Sequence, residues 1–173
     1  MIIRKCWIII SVLFFVTFSH AGQDRNVHLE AQKAAKSGQK DFVFMRYRAL
    51  LRDYPKSQYR KEAIFALGEY YFFFPDYTKA GQKFQDFMTE FPDAEEKIIV
   101  LAYLFKLAKK DEDASRVAEL KSEIVHLRQV SLLFQDYEEY NYQSPLNHHY
   151  QALFHIDRIE FYVEGKLFEE VVF

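Results

Sequence analysis

One cysteine, Cys6, occurs in 173 residues, and it lies near the amino terminus. Disulfide stapling and, past the first residues, thiol catalysis are therefore excluded. Glycine (5) and proline (4) are scarce, too scarce to punctuate the many turns of a sandwich or barrel, so long helices with short connections are expected. No block of like charge exists: 23 basic and 25 acidic residues alternate along the chain and leave a formal charge of −2. Without a concentrated basic face, nucleic acid is not an expected partner. There is no Gly-x-Ser-x-Gly elbow, phosphate-cradling glycine loop or His-Glu-x-x-His helix, so no enzyme activity and no cofactor are indicated.

Aromatic and aliphatic residues are plentiful. Half the residues are hydrophobic, with 18 Phe and 12 Tyr, enough for one well-packed domain or one short repeat array.

Residues 1–21 read as a secretory signal peptide. Arg4 and Lys5 form the basic start, Trp7 to Phe18 an apolar stretch, and Ser19-His-Ala21 a small-x-small cleavage site. The apolar stretch is 12 residues, shorter than the roughly 18 to 20 that cross a hydrocarbon core. No second apolar run of spanning length follows, so no integral membrane span is expected after leader removal. Cys6 precedes the apolar stretch, where a lipid-attachment cysteine would follow it, so a periplasmic or secreted chain without a lipid anchor is expected.

Internal repetition is present. Tyr54-Pro55 and Phe91-Pro92 are 37 residues apart, and a shift of 37 superposes Tyr47 on Phe84, Leu50 on Phe87 and Leu51 on Met88. These are the i, i+3, i+4 and i+7 positions of an apolar helix face. Proline ends each helix, because it disfavours helical geometry in the residue before it. Gly38 and Pro75, each sixteen residues upstream of those aromatics, mark the turn inside each hairpin, and small Ala80, like Val43 in the first copy, stands where helices cross closely. Helices are expected over 27–37, 41–53, 57–73, 76–90, 94–109 and 112 to about 139. The third copy is eroded: Asp111-Glu-Asp113 replaces the aromatic turn, as terminal repeats often depart from pattern.

The run Tyr54-Pro55-x-Ser57-x-Tyr59, Ala63-x-x-x-Leu67-Gly68, Tyr71, Asp76-Tyr77-x-x-Ala80, Phe84, Phe87 and Phe91-Pro92 resembles tetratricopeptide repeats of the outer-membrane lipoprotein BamD type. It is similar also to the periplasmic repeat protein of the Tol-Pal system, and the resemblance covers about residues 28–125. It implies a mostly α fold, a tetratricopeptide-like α-solenoid of antiparallel hairpins over 22–140. It further implies a non-enzymatic scaffold of the cell envelope that holds a protein or peptide partner.

Tyr70-Tyr-Phe-Phe-Phe74 cannot all face one core from a helix. They pack against the next hairpin, or Tyr70, Tyr71 and Phe72 line a partner-binding concavity. His148-His149 and His155 have no carboxylate at a metal-ligand interval and are expected at a helix start after Pro145, so no metal is implied. Glu138-Glu139 and Glu169-Glu170 read as solvated charges.

Beyond Asn141-Tyr-Gln-Ser-Pro145 the periodicity changes. Residues 159–163 and 167–173 read as two strands around Gly165, a short β-hairpin within a carboxy-terminal cap, 141–173. A single amphipathic helix over 150–172 is the alternative. The hairpin caps the last repeat or donates an edge strand to a partner. Self-association into a homo-oligomer, through aromatic faces or that strand, stays open.

Overall fold

The computed structural model describes residues 22–133 and 138–173. The signal-peptide reading, 1–21, lies outside the described residues. Six helices come first: α1 (Gln23–Lys36), α2 (Lys40–Asp53), α3 (Arg60–Phe73), α4 (Tyr77–Glu90), α5 (Lys97–Lys110) and α6 (Ala114–Leu133). A four-stranded antiparallel sheet follows, ordered β1 (Glu139–Gln143), β2 (His149–Phe154), β3 (Arg158–Val163) and β4 (Lys166–Val172). None of these helices is long and apolar enough to cross a membrane.

The 37-residue period governs the whole helical part. α1, α3 and α5 begin at residues 23, 60 and 97, and α2, α4 and α6 at 40, 77 and 114. The eroded third copy therefore keeps the spacing of the other two. Each hairpin turns within a few residues. Gly38 does so at φ +71°, where a side chain would crowd the following carbonyl, and the corresponding third turn forces Glu112 to φ 56°. Asp76 starts α4 by accepting a hydrogen bond from the Lys79 amide at 3.2 Å. Pro55 and Pro92 sit in the turns after α2 and α4, so α3 and α5 begin three residues later than periodicity alone places them.

Consecutive helices pack against one another. Val43, Tyr47 and Leu50 of α2 and Ala80, Phe84 and Phe87 of α4 are wholly buried, as their shared periodicity requires. α3 and α4 approach most closely at Gly68, where an added Cβ would lie 2.8 Å from the Phe84 ring. That ring is stacked on Tyr103 at 4.4 Å and set edge-on to Phe65, so it has nowhere to retreat. Gly68→Ala is expected to destabilise the protein by about 1–2 kcal/mol in urea unfolding, although alanine is the better helix former by ~1 kcal/mol. A stabilised Ala variant would show that the two helices can part at no cost.

α5 has no polar side until its last turn. Ile98 through Phe105 are all buried, and so are Ala63 through Glu69 of α3. Helices apolar all round are covered on both sides. One side of each faces the partner helices of the hairpins, and the sheet covers the other. Tyr150, Ala152, Ile159, Phe161 and Val171 on one sheet face join Phe65, Tyr103 and the α5 residues in a single core. A smaller core lies between the first hairpin and α3, where Ala63, Ala66 and Leu67 meet Ala31, Val43, Tyr47 and Leu50, and Leu146, from the loop between β1 and β2, plugs into it. The opposite sheet face is mixed: Arg158 is bonded to Glu160 at 2.8 Å and Tyr162 to Glu160 at 2.9 Å, and Leu153, Leu167 and Val172 stand across from them. An antiparallel sheet of this kind packs one face on the core and leaves the other to solvent.

The carboxy-terminal expectations are thus partly corrected. The hairpin around Gly165 exists as β3 and β4, but β1 and β2 complete a sheet of four strands. Residue 139 starts a strand and does not end a helix, and His148-His149 leads into β2 where a helix start was expected. The helical alternative over 150–172 is excluded by the ladder that pairs Tyr150 with Val163 and Ile159 with Val171. Long-range pairing and burial override local helix preference in Ala152 and Leu153.

Candidate functional site

Tyr70, Tyr71 and Phe72 diverge. Tyr70 stacks between Phe44 (4.2 Å) and Phe74 (4.3 Å) and donates to Asp41 at 2.8 Å. Its hydroxyl is pushed up to about 12, by burial first and by Asp41 second. Tyr71 lies edge-on to Phe44 under the Lys79 ammonium. Phe72 points the other way and wedges among Tyr77, Tyr103 and Phe168. The exposed members of the run are Phe73 (41%) and Phe74 (48%). The three residues do not line one concavity, and the inner side of α3 and α5 is occupied by the chain's own sheet.

Sequence reading passed over the most unusual group. Glu69 of α3 is fully buried, and its Oε1 accepts three hydrogen bonds from the sheet side. Ser144 Oγ donates at 2.9 Å, His148 Nδ1 at 2.6 Å and Tyr150 at 2.5 Å. On the far side of the imidazole, Lys40 Nζ lies 2.7 Å from His148 Nε2. An ammonium only donates, so Nε2 is the accepting nitrogen and Nδ1 the one that donates to Glu69. Tyr103 continues the chain by donating to the Tyr150 oxygen at 2.5 Å. Among the described residues Glu69 Oε2 has no hydrogen-bond partner.

The local chain folds to make this possible. Ser144 through Asn147 form a tight loop closed by the Asn147 amide on the Ser144 carbonyl at 2.8 Å, with Asn147 at φ 67°. Ser144 Oγ also receives the His148 amide at 3.0 Å, which holds the imidazole over Glu69. Ser144 donates to the carboxylate and not to the imidazole. The arrangement is a clasp that ties the sheet to α3 and, through Lys40, to α2. Its sequence signal was the lone charge of Glu69 inside the run Ala63 to Phe74.

Burial holds the hydroxyls of Tyr103, Tyr142 and Tyr150 well above the usual phenol range, and the Glu69 carboxylate adds to this in each. Raised folded-state values favour the folded chain while unfolded tyrosine is still protonated. That stability is intact below pH ~10 and falls above it by about 1.4 kcal/mol per pH unit for each of the three. Urea midpoints measured from pH 8 to 11 are expected to drop steeply above 10, and less steeply in Tyr150→Phe.

The histidines are scattered: His148 is in the clasp, His149 is exposed, and His155 faces Glu160 at 3.2 Å. Among the described residues no group of three His, Cys, Asp or Glu side chains is placed to hold a metal. Glu169, expected to be solvated, is instead buried between Lys106 (3.3 Å) and Lys109 (2.7 Å), a second tie between sheet and helices. Its neighbour Glu170 is exposed and lies 3.2 Å from Arg158.

No protein-family model matches the chain, and a search of curated proteins gives no match.

Proposed function

We propose that the protein is an exported, non-enzymatic interaction scaffold of the cell envelope, built on tetratricopeptide-like hairpins of the BamD type. The observation that carries this reading is the recurrence of the same helix pair at 37-residue intervals in all three copies. Stacked hairpins of this kind serve as rigid surfaces for other proteins. The leader over 1–21, without a lipid-attachment cysteine after it, supports export free of a lipid anchor.

The covered inner side moves the expected contact elsewhere. A partner meets the outer helices and the turn end of the array, where Phe73, under the Lys40 ammonium, and Phe74 are exposed. Self-association through β4 is the weaker reading. A bulge at Phe168, an inward-pointing Glu169 and Lys106 on the Phe168 carbonyl at 2.6 Å are devices that keep edge strands from pairing.

Two measurements test the proposal. Cross-linked capture from an envelope fraction is expected to recover one protein with the wild type and to lose it with Phe73→Ser/Phe74→Ser, whose melting temperature falls because Phe74 leaves Tyr70 and Phe73 leaves His148, but whose unfolding stays cooperative. Amino-terminal sequencing of the fractionated protein is expected to start at Gly22. Equal capture by both chains, or a cytoplasmic protein starting at Met1, overturns the reading.

A further inference from the structure

Where the last turn of α5 meets β4, an open hollow of about 340 Å³ is walled by Phe72, Tyr77, Leu107 and three lysines, with Glu169 at its side. Lys106, Lys109 and Lys110 each rest on an aromatic face: Phe168 at 4.7 Å, Phe105 at 5.5 Å and Tyr77 at 4.9 Å. Aromatic seats restrict where the ammonium groups can go, so the cations are partly arranged in advance. Glu169 is shared by Lys106 and Lys109 and is, among the described residues, the one carboxylate lining the hollow. Lys110 has no carboxylate partner among the described residues; its contact is the Tyr77 ring.

Three cations facing one anion leave a positive excess. The negative end of the α5 dipole attracts lysines there, but it amounts to about half a charge and does not cancel two. Asp111 and Glu112 follow in the exposed turn and do not line the hollow, while Asp113 is engaged in starting α6 through the Arg116 amide at 2.9 Å. Lys79, on the neighbouring turn, is already paired with Asp76 at 2.6 Å. The apolar floor of Phe72, Tyr77 and Leu107 lies beside the unbalanced charge, so the surface matches a carboxylate carried next to an apolar side chain.

We propose that this hollow takes an acidic segment of a protein partner, a Glu or Asp side chain on Lys110 and Lys109 with an adjacent aromatic residue on Tyr77. The proposal rests on the scaffold reading above and names the chemistry of the partner segment. Lys109 can turn toward the incoming carboxylate while Lys106 keeps Glu169, so the tie between sheet and helices survives binding.

The test uses the full chain and a defined probe, the capped peptide Glu-Phe-Glu, with Gln-Phe-Gln as its uncharged counterpart. NMR titration is expected to show saturable shifts of the Tyr77 and Phe72 rings with the acidic peptide. Binding is expected to be about tenfold weaker for the Gln peptide and about tenfold weaker for Lys110→Glu, as loss or reversal of one partly desolvated charge contact requires. Raising salt from about 0.01 M to about 1 M shortens the screening length from ~30 Å to ~3 Å and is expected to weaken the acidic peptide alone. Lys110 is exposed, so an unchanged melting temperature in K110E confirms that the fold is intact. Equal binding of both peptides, an unaffected K110E, or identical shifts from inorganic phosphate at the same concentration would each overturn the proposal. Capture of a partner equally by wild type and K110E overturns this site and leaves the scaffold reading standing. Peptide binding without any captured partner does the reverse.

Discussion

Deletion of residues 157–173 is expected to leave a chain without a cooperative unfolding transition, one that aggregates on gel filtration. The cut removes β3 and β4, and with them Ile159, Phe161 and Val171, each at most 1% exposed. Burying an apolar side chain of this size contributes about 1.5–3 kcal/mol, so the three together are worth roughly 5–9 kcal/mol. A domain of this size has only about 5–15 kcal/mol in total. The loss does not stop there. Phe168 leaves Phe72 and Tyr103, Glu169 leaves Lys106 and Lys109, and β2 loses its central neighbour. What remains exposes the second side of α5, which has no polar face with which to meet water. The measurement is thermal and urea unfolding by circular dichroism with sedimentation of the same samples. A monomer that unfolds in one step near the wild-type midpoint would show that the sheet is an appendage, and the account of the core given above would fail.

That dependence was partly legible in the residues. The run Ile98-Ile-Val-Leu-Ala-Tyr-Leu-Phe105 carries no polar position at helical spacing, and a helix of that composition has something on both sides. The 37-residue period supplied one neighbour but said nothing of the second. β1 was hidden by its composition. Glu139, Asn141 and Gln143 alternate with Tyr140 and Tyr142, a period of two, yet these residue types are shared with helix ends and turns. β2 was hidden by Pro145, which starts a helix as readily as it closes a turn. What decides for strand is the pairing of Gln151 with Tyr162 and Ala152 with Phe161, contacts that no window along the chain contains. β3 and β4 were readable because Gly165, at φ +71°, stands between two runs rich in aromatic and β-branched residues.

The clasp was less legible than the fold, for a different reason. Its members come from α2, α3 and the loop and strand after residue 143, more than a hundred positions apart at the extremes, as Lys40 and His148 show. Read locally, Lys40 and Glu69 carry no signal of pairing, Ser144 belongs to the stretch that ends the repeat pattern, and His148 reads as a residue at a helix start. Only the isolation of Glu69 in its apolar run marked it. In the same way Glu169 reads as solvated beside Glu170, since strand alternation sends one inward and one outward without saying which.

Replacing Glu69 tests whether this clasp holds the sheet on the helices. Glu69→Ala is expected to cost about 3–5 kcal/mol, because it leaves the donors of Ser144, His148 and Tyr150 buried without an acceptor. Glu69→Gln keeps one acceptor oxygen for those donors but puts its amide N–H groups where Oε2 has no partner among the described residues, so about 1–3 kcal/mol is expected from the lost charge and the unpaired donors. Because Gln is isosteric with Glu, Ala would be worse than Gln even for a residue that only fills space, so the hydrogen-bonded anchor is told apart by its coupling to a donor. Tyr150→Phe removes one donor, and a double-mutant cycle with E69Q is expected to give a coupling of about 0.5–3 kcal/mol, the range for groups in one network. Hydrogen exchange localises the effect. In E69Q the β1 and β2 amides should lose more protection than those of α1 and α2, because the clasp sets the position of the sheet, whereas α1 and α2 also pack on Ala63, Ala66 and Leu67 of α3. If E69A and E69Q both stay within about 0.5 kcal/mol of wild type, the typical range for inconsequential surface changes, the buried carboxylate is not an anchor and the sheet is held by its apolar face alone.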